Sequence, residues 1–224
     1  MPSLRQLLSR HPTLLLADTC STRVEVALWR DGQLQPVAVA TIDAEATSGL
    51  PEAVERVLTA ATTHVRALDA VAFCSGPGSV LGIRLAAATL RTWRALRPDL
   101  ALYGYASLPL LATAHPDLTI IADARRETWH TVRARSATHI ERVPSADLVA
   151  LSAEHALGTP ATFRSWSKPP ADVAIRPLEY SPTALFTSAP DADLFAAAPE
   201  PDAFMHETPA YATWTPRVHQ APSA

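Results

Sequence analysis

A glycine-rich loop between two regular elements has the clearest potential for chemistry in this sequence. It lies within residues 69–97, DAVAFCSGPGSVLGIRLAAATLRTWRALR, and contains three of the chain's seven glycines: Gly76, Gly78 and Gly82. The apolar residues 70–74 predict a buried strand, and residues 85–96, which are rich in Ala, Leu and Arg, predict a helix. Such a turn leaves free backbone N–H groups at a helix start, where anions such as phosphate bind.

The spacing of this loop excludes two better-known phosphate-binding motifs. A P-loop needs Gly-Lys followed by Ser or Thr, but the only lysine of the chain is Lys168. The dinucleotide fingerprint G-x-G-x-x-G needs one residue fewer before Gly82. Ser79 invites a nucleophile hypothesis, but no histidine is near it in sequence and no Gly-x-Ser-x-Gly motif surrounds it. The alternative to an anion site is a tight turn that packs a helix against a sheet.

Hydrophobic periodicity predicts the elements that position this loop. Three strands precede it as an antiparallel meander, in which Asp31-Gly32 is typical of a hairpin turn and Pro36 indicates an edge strand; they cover residues 14–17, 24–28 and 34–42. Residues 51–68 repeat apolar side chains at helical spacing, and residues 100–105 predict a further strand. The order β-β-β-α-β-α-β predicts an α/β unit whose helices cover a mixed sheet.

The same pattern begins again, more weakly, after residue 105. The predicted elements are a helix at 108–114, a strand at 118–122, its hairpin partner at 128–134, and helices at 146–152 and 182–188. Asp123 ends its strand as Asp18 ends the first strand, which indicates a duplication. Twelve of the twenty prolines follow residue 143, so this part is predicted to be rich in loops.

Composition limits the classes of function. The 224 residues are 48% hydrophobic with a net charge of −3, which allows a sizeable core and gives no general attraction to nucleic acid. Cys20 and Cys74 are too few for a disulfide framework and have no C-x-x-C partner, so we expect a reducing cytoplasm. No apolar run approaches the roughly 20 residues of a membrane span. The N-terminus is expected to be a frayed helix or an extension.

Five segments resemble, in order, the TsaB (YeaZ) family of bacterial threonylcarbamoyladenosine tRNA-modification proteins. They are LLLADTCSTRVEVALWRDG, AVAFCSGPGSVLGIRLAAATLR, GYASLPLLA, IIADARRETWH and ETPAYATWTPR. The most specific part is Gly76-Pro77-Gly78-Ser79 with Gly82 and Arg84, followed by Asp123-Ala124-Arg125. The resemblance extends over essentially the whole chain, from about residue 14 to residue 217.

The resemblance implies a two-domain actin-like ATPase fold, of the ASKHA or ribonuclease H-like class, with mixed sheets flanked by helices. An N-terminal extension (1–13) would precede a first α/β domain (14–106), a second, degenerate α/β domain (107–208) and a C-terminal tail (209–224). The implied function is a noncatalytic scaffold that pairs with a TsaD-like synthase, which transfers a threonylcarbamoyl group to an adenosine next to certain tRNA anticodons. A TsaE-like ATPase would join at the level of the complex, and a homodimer could form without the synthase.

The resemblance also implies a remnant phosphate or nucleotide site between the domains, with ATP and Mg²⁺ entering at the level of the complex and no cofactor expected within this chain. Its residues would be Asp18, Thr19, Gly76, Gly78, Ser79, Gly82, Arg84 and Asp123. The alternative is that these residues fix turns by hydrogen bonds. Val80, Leu81 and Thr47 depart from the family pattern, which weakens an inherited nucleotide contact. No His-x-x-x-His pair and no Cys or Asp cluster predicts a metal site.

The partner surface is predicted on the two helices of the first domain. In the helix at 85–96, one stripe of Ala86, Leu90 and Trp93 would face the sheet. A second stripe of small and apolar residues would face a partner, together with a similar stripe on the helix at 51–68: Leu85, Ala88, Thr92, Ala53, Ala60 and His64. Two such helices would form a platform for a four-helix bundle with another subunit. The alternative is that this chain covers the second stripe itself.

Two further hypotheses stay open from sequence alone. An ATP-dependent enzyme of the actin-like fold, such as a small-molecule kinase, is the rival to a scaffold, with a protease-like activity as a more distant possibility. Arginines could contact tRNA phosphates directly, although a scaffold would meet tRNA only indirectly. The candidate residues are Arg84, Arg91, Arg94, Arg125 and Arg126. Solvated helix and turn positions are the alternative explanation of these arginines.

Overall fold

The computed structural model describes residues 1–133 and 139–203, which form two mixed β-sheets flanked by helices. The strands of the first sheet are β1 (Thr13–Asp18), β2 (Val24–Arg30), β3 (Ala38–Ile42), β4 (Ala70–Gly76), β5 (Ala101–Ala106) and β11 (Ala196–Ala197). Their order across the sheet is β11-β5-β4-β1-β2-β3. The meander β1-β2-β3 is antiparallel, β4 and β5 are parallel to β1, and β3 lies at the edge as Pro36 predicts.

The second sheet repeats this topology. Its strands are β6 (Leu118–Asp123), β7 (Thr128–Arg133), β8 (Glu141–Pro144), β9 (Ala156–Pro160) and β10 (Ile175–Leu178), in the order β10-β9-β6-β7-β8. The antiparallel pairs β6-β7 and β7-β8 and the parallel pairs β6-β9 and β9-β10 match those of the first sheet. The predicted duplication is therefore confirmed, and Asp18 and Asp123 occupy equivalent strand ends.

Six α-helices cover these sheets in the part of the chain that the structure describes. They are α1 (Leu4–Arg10), α2 (Ala46–Ala60), α3 (Val80–Leu96), α4 (Ser107–Ala114), α5 (Leu148–Glu154) and α6 (Pro182–Ser188). Each of these helices is too short or too polar to span a lipid bilayer. The predicted tail at 209–224 and the ETPAYATWTPR segment lie outside the described residues, as does the last residue of the strand predicted at 128–134.

The helix predicted at 51–68 differs most from the structure. Helix α2 begins earlier, at Ala46, and ends at Ala60, and a separate 3-10 turn covers Val65–Ala67. The helix stops because Thr62 adopts a left-handed conformation with φ +49°, which a helical pattern of apolar residues does not reveal. His64 therefore does not lie on α2.

The N-terminal segment is a capped helix packed into the core rather than a frayed extension. Ser3 and Gln6 form a capping box at the start of α1. Leu4, Leu7 and Leu8 are buried in the main core, so this helix closes one side of the first sheet. The same core continues into the second sheet through Ile120, whereas the adjacent Ile121 belongs to a smaller cluster on the other face of β6.

Glycines 78 and 82 are required by the close approach of the loop between β4 and α3. Gly78 has φ +151°, and a Cβ at this position would lie 2.3 Å from the carbonyl oxygen of Cys20. A Cβ at Gly82 would lie 2.2 Å from the carbonyl oxygen of Thr19. The expectation that Gly78 needs positive φ or close backbone approach is confirmed, and α3 begins at Val80, five residues before its predicted start.

Replacing Gly82 with alanine tests this packing. In an ordinary helix the change would raise the free energy of unfolding by about 1 kcal/mol. Here the added methyl group meets a backbone carbonyl that cannot rotate away, so Gly82→Ala should lower that free energy by about 1–3 kcal/mol in chemical denaturation.

The matched control is Gly49→Ala in α2, because its new Cβ would meet a methyl group of Val24 at 2.9 Å and not the backbone. The control should lose less stability than Gly82→Ala. Equal or greater stability of Gly82→Ala relative to the native chain would contradict the close contact between the two loops.

Candidate functional site

The glycine loop, residues 76–82, packs against the loop that joins β1 to β2. The backbone N–H of Ser79 donates a 2.7 Å hydrogen bond to the carbonyl of Cys20. The Oγ of Ser79 accepts a hydrogen bond from the N–H of Gly82 and so caps α3. The two loops therefore touch at Gly78 and Gly82, and a phosphate group does not fit between these glycines and the Thr19 and Cys20 carbonyls.

Asp18 lies under this contact, and both of its carboxylate oxygens accept hydrogen bonds from protein donors. Its Oδ1 accepts from the N–H of Cys20, and its Oδ2 accepts from the hydroxyls of Tyr105 at 2.6 Å and Tyr180 at 2.8 Å. The Asp18 side chain is buried. Burial, followed by the nearby charge of Asp18, raises the pKa of both tyrosines, so their hydroxyls stay protonated as donors.

Asp123, the equivalent residue of the second sheet, holds a crossing segment in place. It accepts hydrogen bonds from the N–H groups of Arg125, Trp166 and Ser167 and from the Ser167 hydroxyl. Partial burial raises the pKa of Asp123, but the hydrogen bonds from Ser167, Trp166 and Arg125 outweigh burial and place the pKa below its ordinary value. The carboxylate is therefore ionised and used as an acceptor at neutral pH.

The segment from Thr162 to Ser167 connects the two equivalent hairpin loops across the cleft. The N–H of Thr22 donates to the carbonyl of Thr162 at 2.9 Å, and Arg164 forms an ion pair with Glu45 at 2.5 Å. Arg125 lies 4.6 Å from the centre of the Trp166 ring, in a cation–π contact. A cavity of ≈ 170 Å³ remains beside the glycine loop, and its lining includes Gly78, Ser79, Asp123, Arg125 and Trp166.

This arrangement does not fit the Mg²⁺–phosphate group that the actin-like fold implies. Both aspartates bond to protein donors, and the glycine loop is closed by the Thr19 and Cys20 carbonyls. Arg84 is exposed on α3 and forms no ion pair within residues 1–133 and 139–203. The Oγ1 of Thr19 is buried without a hydrogen-bond partner among the described residues. No chemical step through a bound nucleotide follows from these residues.

The nucleophile hypothesis for Ser79 finds no geometric support. Its hydroxyl caps α3, and no histidine contacts it in the described part of the chain.

Two of the arginines predicted to contact phosphate make different contacts within the protein. Arg91 donates to the carbonyl of Pro201, whereas Arg125 stacks on Trp166. These two arginines therefore have structural contacts of their own, in line with the alternative that they are solvated helix and turn residues.

One expectation from sequence is corrected by the strand order. The spacing predicted no Cys or Asp cluster, yet Asp18, Cys20 and Cys74 lie with one ligand atom each within 4.8 Å of one another. They meet because β1 and β4 are parallel neighbours, so residues more than fifty positions apart share one sheet edge. Burial raises the pKa of both thiols, and neither cysteine is in a disulfide.

The residues of the predicted partner surface differ in their accessibility. Leu85 and Ala88 are half-buried and Thr92 is exposed on α3, but Ala53 is fully buried within this chain. Ala60 is exposed at the end of α2, and His64 is exposed beyond it. The exposed face of α2 is polar instead of apolar, since it carries Glu52, Glu55 and Arg56.

Sequence reasoning missed the residues that seal the site. Tyr180 reaches Asp18 across 162 positions, and no local pattern could identify it. Tyr105 is the next-to-last residue of β5, the neighbour of β4, so strand order could have placed it near the glycine loop. Trp166 and Ser167 lie in a loop without periodicity and contact Asp123 only through the fold.

Removing the Asp123 carboxylate tests its role as an anchor. Asp123→Ala leaves the Trp166 and Ser167 N–H groups without this acceptor, so the free energy of unfolding should fall by about 1–3 kcal/mol at neutral pH. Because the folded-state pKa is lowered, this contribution is present above the ordinary pKa and is lost as pH falls through the folded value. The difference should therefore stay constant down to roughly pH 4 and shrink below it.

The control for this substitution is Asp117→Ala, which changes an exposed aspartate in the turn before β6. Its effect on chemical denaturation should stay within about 0.5 kcal/mol. An Asp123→Ala variant as stable as the control would show that the carboxylate does not hold the crossing segment.

Comparisons with known proteins place this fold. The family described as TsaD, tRNA N6-adenosine threonylcarbamoyltransferase, matches residues 43–162. No curated protein sequence matches the chain. Among solved structures, YeaZ from Pseudomonas aeruginosa superposes with a TM-score of 0.56 at 21% identity, covering 79% of this chain and 90% of that one.

A second structure from Pseudomonas aeruginosa, an uncharacterized protein with similarity to peptidase YEAZ, gives the same TM-score of 0.56 and identity of 21%, with 79% of this chain and 89% of that chain covered. The predicted two-sheet, actin-like α/β fold is therefore confirmed. The TsaD match covers more than half of the chain and agrees with the resemblance to TsaB (YeaZ) noted in the sequence. The chain belongs to the TsaD family of tRNA N6-adenosine threonylcarbamoyltransferases.

Proposed function

We propose that this chain is a noncatalytic, TsaB-type subunit that pairs with a TsaD-like synthase in the threonylcarbamoyl modification of tRNA adenosine. Family membership supports the pathway. The single observation that carries the scaffold role is an exposed apolar stripe along α3, which residues 1–133 and 139–203 leave uncovered. The synthase would supply the chemistry, and a TsaE-like ATPase would act on the assembled complex.

The stripe, which we call the α3 stripe, follows helical spacing over four turns. Its members are Leu81, Leu85, Ala88, Thr92 and Leu96. Leu81 is 71% exposed and Leu96 is 79% exposed, although large aliphatic side chains are usually covered. The opposite face of α3, with Ile83, Ala86 and Leu90, packs on the sheet. One helix with two apolar faces favours contact with a second subunit.

The neighbouring helix suits the rim of such an interface. Its exposed face carries Glu52 and Arg56, which form an ion pair at 2.5 Å. Interfaces commonly place apolar side chains at the centre and charged residues around them. Pairing through α3 at the centre, with α2 beside it, is the mode we propose for the synthase and, in its absence, for a second copy of this chain.

The packing of the glycine loop against the β1–β2 loop supports the proposal that this chain alone does not catalyse a reaction. Asp18 is buried and does not line the cavity beside the glycine loop, so a nucleotide-bound Mg²⁺ in that cavity would not reach its carboxylate. A kinase of the actin-like fold needs a carboxylate free to hold Mg²⁺ beside the phosphates. Asp123 lines the ≈ 170 Å³ cavity beside the glycine loop, but both of its oxygens accept hydrogen bonds from Arg125, Trp166 and Ser167. Transfer to tRNA would therefore depend on the partner.

The direct test of this function is reconstitution with a TsaD-like synthase from the same cell. The chain should co-purify with the synthase and should raise threonylcarbamoyl transfer to tRNA, while the chain alone transfers nothing. Phosphoryl transfer from ATP to a small molecule by the purified chain would contradict the proposal.

A substitution on the α3 stripe tests the pairing surface. Ala88→Arg should abolish co-purification, because a long charged side chain would be placed in a close-packed interface. The melting temperature should be nearly unchanged, because Ala88 is half-exposed in the free chain.

The matched control is Ala153→Arg, an exposed alanine on α5, which should pair normally. Leu81→Glu provides a second variant, since its side chain is 71% exposed and makes little contribution to the core. Normal pairing by both Ala88→Arg and Leu81→Glu would exclude this surface.

A further inference from the structure

We propose that Asp18, Cys20 and Cys74 form a binding site for a thiophilic divalent cation of the zinc class, beneath the glycine loop. One ligand atom of each residue lies within 4.8 Å of the other two: a carboxylate oxygen and two Sγ atoms. Each of the three side chains is about 1% exposed. A set of two thiols and one carboxylate suits Zn²⁺ and disfavours Mg²⁺ or Ca²⁺, which prefer oxygen ligands only.

The three ligand atoms, which lie within 4.8 Å of one another, need to move only slightly closer together to bind one zinc ion. Zinc bonds of about 2.3 Å to sulfur and about 2.0 Å to oxygen place neighbouring tetrahedral ligand atoms roughly 3.3–3.8 Å apart. The hydroxyl of Tyr180 lies 3.6 Å from the Sγ of Cys20 and 2.8 Å from the Oδ2 of Asp18. It therefore occupies the neighbourhood of the fourth corner, as a ligand or as a donor to the ligating carboxylate.

The charge of the cluster also favours a cation. Within residues 1–133 and 139–203, no arginine, lysine or histidine forms an ion pair with the buried Asp18. A buried carboxylate is costly without a positive partner, and a divalent ion would supply one. The hydrogen bonds from Tyr105 and Tyr180 to the same carboxylate have the form of outer-shell contacts that orient a metal ligand.

A cavity reaches the Asp18 side of the cluster. It measures ≈ 150 Å³, borders Asp18 and Tyr180, and includes the carboxylates of Glu25 and Glu179 among its lining groups. Glu179 is exposed, so the cavity extends to the surface. Arg23 also lines the cavity, but it forms an ion pair with Asp43, so three carboxylates face one already paired cation. Binding would release the protons of the two thiols to solvent as the thiolates coordinate the ion.

The test uses the full chain, reduced and freed of metal by a chelator, and Co²⁺ and Zn²⁺ as probes. Co²⁺ should bind at one equivalent per chain and produce the intense near-ultraviolet absorption of thiolate-to-cobalt charge transfer. Zn²⁺ should displace it and raise the melting temperature. Cys74→Ser and Asp18→Asn should each weaken Co²⁺ binding at least tenfold, whereas Ser75→Ala, next to Cys74 but outside the cluster, should bind Co²⁺ like the native chain.

The charge-transfer absorption of the native chain with Co²⁺ tests the proposal even if a variant fails to fold, because this band reports sulfur ligation directly. Reduced native protein with two titratable thiols and no charge-transfer band would overturn the proposal. A Cys20–Cys74 disulfide in protein purified with reductant would overturn it as well. Either result leaves the pairing function untouched, since the α3 stripe does not include these residues.

Discussion

The backbone of the glycine loop lies directly on the carbonyl groups of Thr19 and Cys20, and the rest of the cleft is arranged around this contact. The absence of a Cβ at Gly78 and Gly82 allows the approach, and the Ser79–Cys20 hydrogen bond fixes it. Once the loops meet, Asp18 lies beneath them, away from solvent, and must find its hydrogen-bond donors inside the protein. The glycine loop is therefore a packed structural joint between α3 and the β1–β2 loop.

In each sheet of the duplicated fold, the strand-end aspartate accepts hydrogen bonds from groups of this chain, but the donors differ between the two sheets. Asp18 is satisfied by the hydroxyls of Tyr105 and Tyr180, which belong to distant parts of the chain. Asp123 is satisfied by the backbone of Trp166 and Ser167, on a segment that crosses between the hairpin loops. Both strand-end carboxylates thus accept hydrogen bonds from groups of this chain. The helices that cover the first sheet expose an apolar surface at the α3 stripe, and we propose that the chain functions through this surface and not through the cleft.

Sequence patterns predicted most of the fold because its signals are local. The meander, the strand before the glycine loop and the helix at 182–188 each carry a period or turn signal within a few residues, and α6 has the predicted bounds. The end of α2 was missed because Thr62 takes a left-handed conformation that no apolar period encodes. The metal-ligand cluster and the tyrosine pair were missed because strand order, which creates them, joins residues far apart in sequence. The burial of Ala53 depended on the rotation of α2 against the sheet, which period alone places only approximately.

If the cleft of this chain is closed by its own groups, phosphate cannot enter it. This closure can be tested by titrating the isolated, isotope-labelled chain with Mg²⁺–ATP while following the backbone amide resonances of Ser79, Trp166 and Ser167. We expect these resonances to stay fixed up to millimolar nucleotide, the concentration range in which a Kd corresponds to about 4 kcal/mol of binding free energy. Saturable shifts of the three amides would show that the loops separate to admit the nucleotide, and the cleft would then be an open binding site.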